Sequence, residues 1–402
     1  MECEVRSWIS DVFKARNFET IEVDIIDDDN KGGSLGDIIF VKVVGRAEQN
    51  IQTFNILIKR GKSNSVILDD LNLRVAYMNE INLYSKIIPF LRKFAEHRNL
   101  TPYENIPQCF GTITKEDLYV ILMENLRPKG FKMCQLNEPQ SLACVKLVLE
   151  AYAKWQALCL AVKDQEPDVF KTFGEINKDF QEKKMNKLYK ASVKKELDFV
   201  IGLYKERCEK KMVDKLENAK NNLEDIFRRS STSEDCSFSV IRHGDCWNNN
   251  FLFTFNEETL EPEKVVIIDW QNSFLGPPLA DITQYLLSTC SLSEYERIED
   301  LLKFYYNIIS SKLIEFGSNP EKCFSWSDCY DNFKECLPRA VYSKPIFVRA
   351  SLTTAFNTSF DISKSPDDGD FHGMFSDELK DSEEYFRRID NTLKIFMGKE
   401  LL

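Results

Sequence analysis

The sequence lacks a run of apolar residues long enough to cross a membrane, which takes about 18 in a row. Its first segment, MECEVRSWISDVFKARNFET, is charged and amphipathic, and it lacks an apolar core of signal-peptide length. These two absences argue against a membrane span and against a secretion signal. We therefore expect a cytoplasmic protein.

The sequence also lacks an excess of basic residues, since 53 Lys and Arg stand against 64 Asp and Glu and the net charge is −11. A protein whose main partner is nucleic acid would present a basic face, so we expect no nucleic-acid partner. Histidine is scarce, and none lies near the clustered Cys323, Cys329 and Cys336 to complete a zinc set. Nothing in the sequence indicates an obligate protein partner.

What the sequence does have is enough apolar content for a sizeable core, with 43% hydrophobic residues. Its length allows one large domain or two ordinary ones. Helical spacing of apolar residues predicts an N-terminal helix with one buried face, formed by Val5, Trp8, Ile9, Val12 and Phe13. The same reading predicts later helices at 282–288, 295–316, 345–358 and 382–399.

Polar side chains flank two short apolar runs, 251–255 and 265–268, which predict a β-hairpin. Asp245 and Asn250 precede the first run, and Asp269 follows the second. Mg²⁺ prefers hard oxygen ligands and is usually held by one or two side chains plus substrate phosphates. Asn250 and Asp269 are therefore candidate metal ligands. Asp245 is the candidate catalytic base, which would accept the proton of an acceptor hydroxyl.

The order of these residues carries a resemblance to a known family. The H-x-D-x-x-x-x-N spacing that begins at His243, followed by Asp269, resembles the catalytic loop and metal-binding Asp of protein-kinase-like phosphotransferases. The fuller pattern, HGD-x-W-x-x-N-x-x-F with IDWQ and P-x-x-D after it, is more similar to the aminoglycoside and choline kinase branch. Within that branch it is most similar to the ecdysteroid-kinase-like (CHK-kinase-like) family of arthropods.

The resemblance covers nearly the whole chain from about Lys31 onward, and it implies a fold. We expect the α+β class, as a bilobal protein-kinase-like fold. An antiparallel-sheet, nucleotide-binding N-terminal lobe would span residues 1–126. A mostly helical C-terminal lobe, with the catalytic and acceptor-binding residues, would span residues 127–402. The resemblance also implies ATP and Mg²⁺ as cofactors.

Two charged residues of the first predicted lobe matter for that expectation. Lys59 ends a predicted strand at 53–60, and Glu80 lies on a helix predicted from about residue 71 to 94. Taken alone, each would be read as an ordinary solvated side chain. By resemblance they are the Lys–Glu pair that fixes the nucleotide phosphates in kinase-like folds.

A glycine-containing stretch, 32–37, separates two predicted strands at 21–26 and 38–44. Such a loop can bring backbone N–H groups to nucleotide phosphates, although the glycines taken alone favour a plain hairpin turn. The family usually has Gly-Asp-Asn-Tyr where this chain has Gly-Asp-Ile-Ile from Gly36. Gly36 matches the glycine of the family pattern, and by resemblance it is the candidate phosphate contact.

A fully apolar run at 118–123 predicts a central strand of the sheet. By resemblance the residues that follow it form the hinge, where the backbone of Glu124 and Leu126 would bind adenine. Asn125 stands between them, where the family commonly has Asp. Because the contacts are made by the backbone, we expect them to survive that change.

Other family positions are expected to support the site without reacting. Gln156 replaces a usual His and is predicted to be buried and structural. His243 is expected to brace the loop backbone, and Asp281 of the P-x-x-D segment is read as a brace more than a ligand. Trp247 and Trp270 are expected to pack around the polar groups.

The resemblance implies an ATP-dependent small-molecule kinase that phosphorylates an alcohol group, such as an ecdysteroid or related sterol hydroxyl. Three alternatives stay open. One is a kinase for choline-like or xenobiotic alcohols, and another is a catalytically silent member that binds a nucleotide or lipophile. The third is a protein kinase, although the D-F-G and A-P-E landmarks are missing and Asp-Trp-Gln begins at Asp269.

Overall fold

The computed structural model describes residues 2–26, 36–48, 50–61, 73–174, 184–230, 237–353, 379 and 381–402. The chain forms two compact units. The first comprises Met1–Lys132 with Leu252–Asn272, and the second comprises Met133–Phe251 with Ser273–Leu402. Most of the predicted glycine stretch lies outside the described residues. The predicted lobe border between residues 126 and 127 stays a prediction.

The first unit is built on a five-stranded antiparallel sheet of order β1-β2-β3-β5-β4. The strand bounds are β1 Glu19–Ile26, β2 Gly36–Ala47, β3 Asn50–Gly61, β4 Cys109–Lys115 and β5 Leu118–Glu124. The apolar strand β5 pairs on both sides, with β3 and β4, which confirms its predicted interior position. Its middle five residues are buried.

Helix α1, Glu2–Ala15, packs on this sheet through the predicted apolar face. Trp8, Ile9 and Phe13 are buried there with Val41 and Ile56 of the sheet. Each such side chain contributes roughly 1.5–3 kcal/mol when it is fully buried. The helical spacing seen in the sequence is thus explained by a one-sided hydrophobic core.

A second helical stretch in the first unit carries Glu80. It consists of α2, Leu73–Asn82, a π-helical turn at Leu83–Ile87, and α3, Ile88–Glu96. The widened turn ends next to Pro89, which has no N–H to donate and whose ring would clash with the Ser85 carbonyl in a regular α-helix. The predicted helix at 71–94 is confirmed, with this irregularity inside it.

The predicted hairpin is also present. Strands β6 (Lys132–Met133), β8 (Phe251–Phe255) and β9 (Pro262–Ile267) form a small sheet of order β6-β8-β9. The turn between β8 and β9 is closed by Asn256, whose N–H donates to Glu261 O at 2.9 Å. Asn250 directly precedes β8, and Asp269 follows β9, as the sequence predicts.

The second unit is mostly helical. Its helices are α4 Leu142–Gln165, α5 Pro167–Gly174, α6 Lys184–Glu206, α7 Lys210–Asn221, α8 Leu223–Arg229, α9 Leu279–Thr289, α10 Leu292–Glu296, α11 Ile298–Glu315, α12 Pro320–Cys323, α13 Trp326–Leu352 and α14 Ser382–Gly398. Two short strands, β7 (Val240–Arg242) and β10 (Phe274–Gly276), pair antiparallel. Helix α4 is buried at every residue from Trp155 to Val162 and at most residues from Cys144 to Ala153.

An antiparallel sheet in the N-terminal part and a mostly helical remainder confirm the predicted α+β class. Within the ranges that the structure describes, every helix is too short or too polar to cross a membrane.

Candidate active site

In the first unit, the ammonium of Lys59 lies between two carboxylates. Its Nζ is 2.6 Å from Glu80 Oε2 and 2.7 Å from Asp269 Oδ1. The Glu80 side chain is 3% exposed, whereas Lys59 and Asp269 are 24% and 27% exposed. Burial opposes the charged form, but the two carboxylates hold the pKa of Lys59 above its ordinary value. The lysine therefore stays protonated at neutral pH. Its buried partner is Glu80, and its more exposed partner is Asp269.

The fold brings these three residues together from distant parts of the chain. Strand β3 places Lys59 opposite Ile38 on one side and Ile121 on the other. Asp269 has a φ of +65°, in the left-handed region that Asp adopts more readily than most residues. Such conformations cluster at functional sites.

Asn79 is a supporting residue that the sequence reading missed. Its Nδ2 donates to the Gln271 carbonyl at 3.1 Å, and Gln271 Nε2 donates to Asp269 Oδ2 at 3.4 Å. Asn79 is buried next to Glu80 on α2. The same helix therefore holds Glu80, the partner of Lys59, and the turn that follows Asp269. Its only signal in the sequence is its position beside Glu80.

In the second unit, the side chain of Asn250 forms hydrogen bonds with Asp245. Asn250 Nδ2 donates to the Asp245 carbonyl at 2.8 Å and to its Oδ2 at 3.0 Å. Because the amide NH₂ is used in this way, Oδ1 of Asn250 is the atom that can accept a cation. Asn248 instead accepts a bond from Gln140 Nε2 at 2.9 Å. Asn250 thus contacts Asp245, whereas Asn248 contacts Gln140.

The loop that carries Asp245 is held by the carboxylate of Asp281. Oδ2 of Asp281 accepts from the His243 N–H at 2.6 Å, and Oδ1 accepts from the Gly244 N–H at 3.2 Å and from Arg242 Nε at 3.1 Å. Gly244 has a φ of +79°, which glycine alone adopts freely. His243 Nδ1 accepts from the Asp245 N–H at 3.2 Å. The readings of Asp281 and His243 as braces are confirmed.

Gln156 supports the same brace from α4. It is fully buried, its Nε2 donates to the Pro278 carbonyl at 3.1 Å, and its Oε1 accepts from the Tyr305 hydroxyl. Pro278 directly precedes α9, the helix that carries Asp281. The predicted buried structural role of Gln156 is confirmed.

The predicted hinge follows β5 in the first unit. The Asn125 N–H donates to Asn55 O at 2.9 Å, and Asn125 Oδ1 accepts from the Arg127 N–H at 3.1 Å. An Asp at this position would offer the same acceptor, which explains why Asn can replace it. The Leu126 N–H has no hydrogen-bond partner in the described part of the chain. The Glu124 side chain pairs with Lys129, so its charge is directed at that lysine.

Gly36 stands at the start of β2, opposite Gly61. A Cβ added at Gly36 would lie 2.6 Å from the Arg60 carbonyl oxygen, so close strand pairing by itself requires glycine here. The stretch before it lies outside the described residues. Its contact with phosphate therefore stays a prediction.

The two tryptophans lie as packing residues beside these groups. Trp270 is fully buried in the first unit, and its Nε1 donates to Ile267 O at 3.2 Å. Trp247, in the second unit, has its ring 6.1 Å from that of Phe347.

Comparison with known proteins identifies a family. A sequence profile described as the ecdysteroid kinase-like family matches residues 35–317, which includes every candidate residue above. None of the curated proteins matches the chain. Among solved structures, an aminoglycoside 2′-phosphotransferase-IIIa variant in its GDP complex is 12% identical with a TM-score of 0.43, covering 98% of this chain and 99% of its own. A candidate fructosamine-3-kinase from Haemophilus somnus is 11% identical with a TM-score of 0.32, covering 82% and 95%. Likenesses this distant carry no argument about function.

Proposed function

Because the chain belongs to the ecdysteroid kinase-like family, we propose that it is an ATP-dependent small-molecule kinase that transfers the γ-phosphate to an alcohol. The observation that carries the proposal is the Lys59 ammonium held between Glu80 and Asp269. A partly exposed cation fixed by a buried carboxylate is suited to neutralise phosphate charge. The Lys–Glu pair of kinase-like folds has this arrangement.

In the proposed site, Lys59 binds the ATP phosphates, Glu80 orients Lys59, and Asp269 and Asn250 are the metal ligands. One ammonium between two carboxylates leaves a formal charge of −1, which favours an added cation at the more exposed Asp269. Carboxylate and amide oxygens are the hard ligands that fit Mg²⁺. When bound, Mg²⁺ would supply further neutralisation of phosphate charge.

Asp245 is the proposed catalytic base. The acceptor oxygen forms the new bond to the γ-phosphorus, the bond from that phosphorus to ADP breaks, and the acceptor proton passes to Asp245. Asp281 contributes by fixing the backbone N–H groups of His243 and Gly244. Asn250 contributes by holding the Asp245 carboxylate at 3.0 Å.

The nucleotide base would bind at the hinge. The Leu126 N–H, which has no hydrogen-bond partner among the described residues, supports this role, because such a donor can bond a ring nitrogen of adenine. The Glu124 backbone is the second proposed contact with the base, and Gly36 is a proposed contact with the phosphates. An ecdysteroid or related sterol alcohol is the proposed acceptor, and a cytoplasmic location is proposed with it.

The test is Mg-ATP-dependent phosphate transfer by the purified protein to ecdysone, cholesterol, choline and kanamycin. Asp245→Asn should lower turnover about 10²- to 10⁴-fold, since it removes the base while keeping the side-chain shape. Asp300→Asn, on the exposed start of α11, is the matched control and should keep wild-type turnover.

Transfer to one acceptor class, lost in Asp245→Asn only, would support the kinase and name its acceptor. Equal transfer by Asp245→Asn and wild type would contradict the assignment of the base. An absence of both transfer and nucleotide binding would favour a silent ligand-binding member instead.

A further inference from the structure

The catalytic loop continues beyond the residues that Asp281 braces. It ends in a three-residue 3₁₀ turn, Asn248–Asn250, which directly precedes β8 in the chain. The Asn250 N–H closes this turn by donating to Trp247 O at 3.0 Å. So short a turn has little stability of its own, because few backbone bonds offset the cost of ordering it. Side chains from elsewhere in the unit must therefore fix its position.

Gln140 holds the first residue of that turn. Its Nε2 donates to Asn248 Oδ1 at 2.9 Å, and its Oε1 accepts from the Tyr285 hydroxyl at 2.5 Å. The Gln140 backbone N–H donates to Thr289 O at 3.0 Å. All of these residues are buried. A buried amide that is bonded at both ends has one orientation, because any other would leave polar groups without partners.

Helix α9 contributes to this arrangement from one face. Asp281, Tyr285 and Ser288 are separated by four and then three residues, which is the spacing of side chains on one side of an α-helix. Asp281 bonds the start of the loop. Tyr285 bonds Gln140, and the Ser288 hydroxyl donates to Cys246 O at 3.2 Å. One helix thus fixes the beginning and the middle of the loop directly, and its end through Gln140.

The turn that Gln140 holds carries Asn250, which in turn fixes Asp245. Asn250 Nδ2 donates to the carbonyl and to Oδ2 of Asp245, at 2.8 and 3.0 Å. Asn248 and Asn250 belong to the same turn, so a displacement of Asn248 would move Asn250 and change both distances. A misplacement of about 1 Å in a catalytic group can lower a rate about hundredfold.

We propose that Gln140 is a positioning residue for the catalytic loop, which is pinned by Tyr285 and holds the Asn248–Asn250 turn where Asn250 orients Asp245. This inference rests on the proposed function and adds to that site a residue that acts through Asn248. The competing explanation is that the bonds of Gln140 only stabilise the fold. Local order of the loop separates the two explanations.

The experiment measures amide hydrogen exchange of the peptide 244–252 in the whole chain, by mass spectrometry, without nucleotide or metal. Gln140→Met keeps the length of the side chain and removes both of its hydrogen bonds. Exchange in this peptide should become about tenfold faster while peptides of α11 keep the wild-type rate, because only the turn loses its anchor. Turnover per folded molecule with Mg-ATP should fall about tenfold to hundredfold.

Gln140→Glu is the conservative variant. One carboxylate oxygen can accept from the Tyr285 hydroxyl, and the other can accept from the Asn248 amide once that amide has turned over. This variant should restore slow exchange and most of the turnover. Gln165→Met is the matched control, since Gln165 lies in the same unit and its Nε2 donates to Ser318 Oγ at 2.8 Å, outside the loop. It should leave both readouts unchanged.

Tyr285→Phe is a milder second variant, because it removes only the hydroxyl. It keeps the ring, which lies 5.0 Å from the ring of Phe251. Loss of the bond to Gln140 should make exchange in the same peptide about threefold faster.

Wild-type exchange and turnover in folded Gln140→Met would overturn the positioning role. If that variant does not fold, wild-type exchange in Tyr285→Phe would overturn it. Faster exchange in Gln140→Met with wild-type turnover would also overturn it, because the reaction would then not need the ordered turn. The predicted change in exchange, without phosphate transfer by wild type, would keep the ordering of the loop by Gln140 and refute the kinase. Transfer by wild type and by Gln140→Met alike would do the reverse.

Discussion

Two ionic clusters, one in each unit, pair a cation with carboxylates but differ in their exposure to solvent. The Arg242–Asp281 pair in the second unit is 1% exposed on both sides and bonds the backbone of its own loop. The Lys59 cluster in the first unit has one buried carboxylate and one that is 27% exposed. A closed pair can only position other groups, whereas an open one retains solvent access through which a ligand can bind. The degree of closure therefore separates the bracing charges from the proposed catalytic ones.

The largest effect should come from breaking the closed pair with Asp281→Ala. This change leaves the Arg242 cation buried without its carboxylate and removes the acceptor for the His243 and Gly244 N–H groups. We expect the free energy of unfolding to fall by about 3–5 kcal/mol, as measured by urea denaturation. Asp300→Ala, which removes an exposed partner of Arg297, should cost at most about 1 kcal/mol. Equal losses in the two variants would refute the bracing role.

Breaking the open cluster with Lys59→Met should lower activity strongly and stability only moderately. The unfolding free energy should fall by only about 1–3 kcal/mol, because Asp269 can be solvated and Glu80, whose pKa is raised by burial, can take up a proton when the lysine is lost. Turnover in the Mg-ATP transfer assay should fall about 10²- to 10³-fold, as for loss of a preorganised charge. The exposed Lys303→Met on α11 is the control. Wild-type turnover by a folded Lys59→Met would contradict the assigned role.

Much of the open cluster could be predicted from the sequence, since its members follow recognisable elements. Lys59 ends an apolar strand, Asp269 follows another, and Glu80 has a family context. The family match confirms the resemblance inferred from these positions. The contact between Lys59 and Asp269 could not be derived from local pattern, because it joins residues 210 positions apart.

The closed pair was predicted only in part. The P-x-x-D segment indicated that Asp281 braces the loop, but nothing marked Arg242 as its buried partner. An arginine in a three-residue strand is ordinarily read as exposed, and only the packed core shows that it is not. A local sequence pattern does not show whether residues distant in the chain bury a side chain.

Helix α13 shows another limit of local reading. The sequence predicted a helix at 345–358, whereas the structure has one helix over Trp326–Leu352 that contains Pro338 and Pro345. Proline normally ends or kinks a helix, which is why its first part was missed. The capping box of Ser325 and Asp328 was the available signal for its start.

A third cation sharpens the comparison, because it is buried and held by neutral groups. Lys344 is buried on α13, and its Nζ donates to Leu287 O at 3.0 Å and to the Tyr295 hydroxyl. Burial lowers the pKa of Lys344 from its ordinary 10.5 to about 7, with Cys290 opposing this shift and Arg388 adding to it. Burial thus weakens this charge, in contrast to Lys59, whose carboxylates strengthen it.

The sign of the resulting pH effect follows from proton binding. Between about pH 7 and 10.5 the unfolded chain holds a proton on Lys344 that the folded chain lacks. Stability should therefore rise with pH across that window by up to about 1.4 kcal/mol per unit relative to Lys344→Met. Below pH 7 the difference should become constant. Urea denaturation of both proteins from pH 6 to 10, with Lys303→Met as control, measures it. A wild-type slope equal to that of Lys344→Met would mean that the two neutral acceptors fully offset the cost of burying the ammonium.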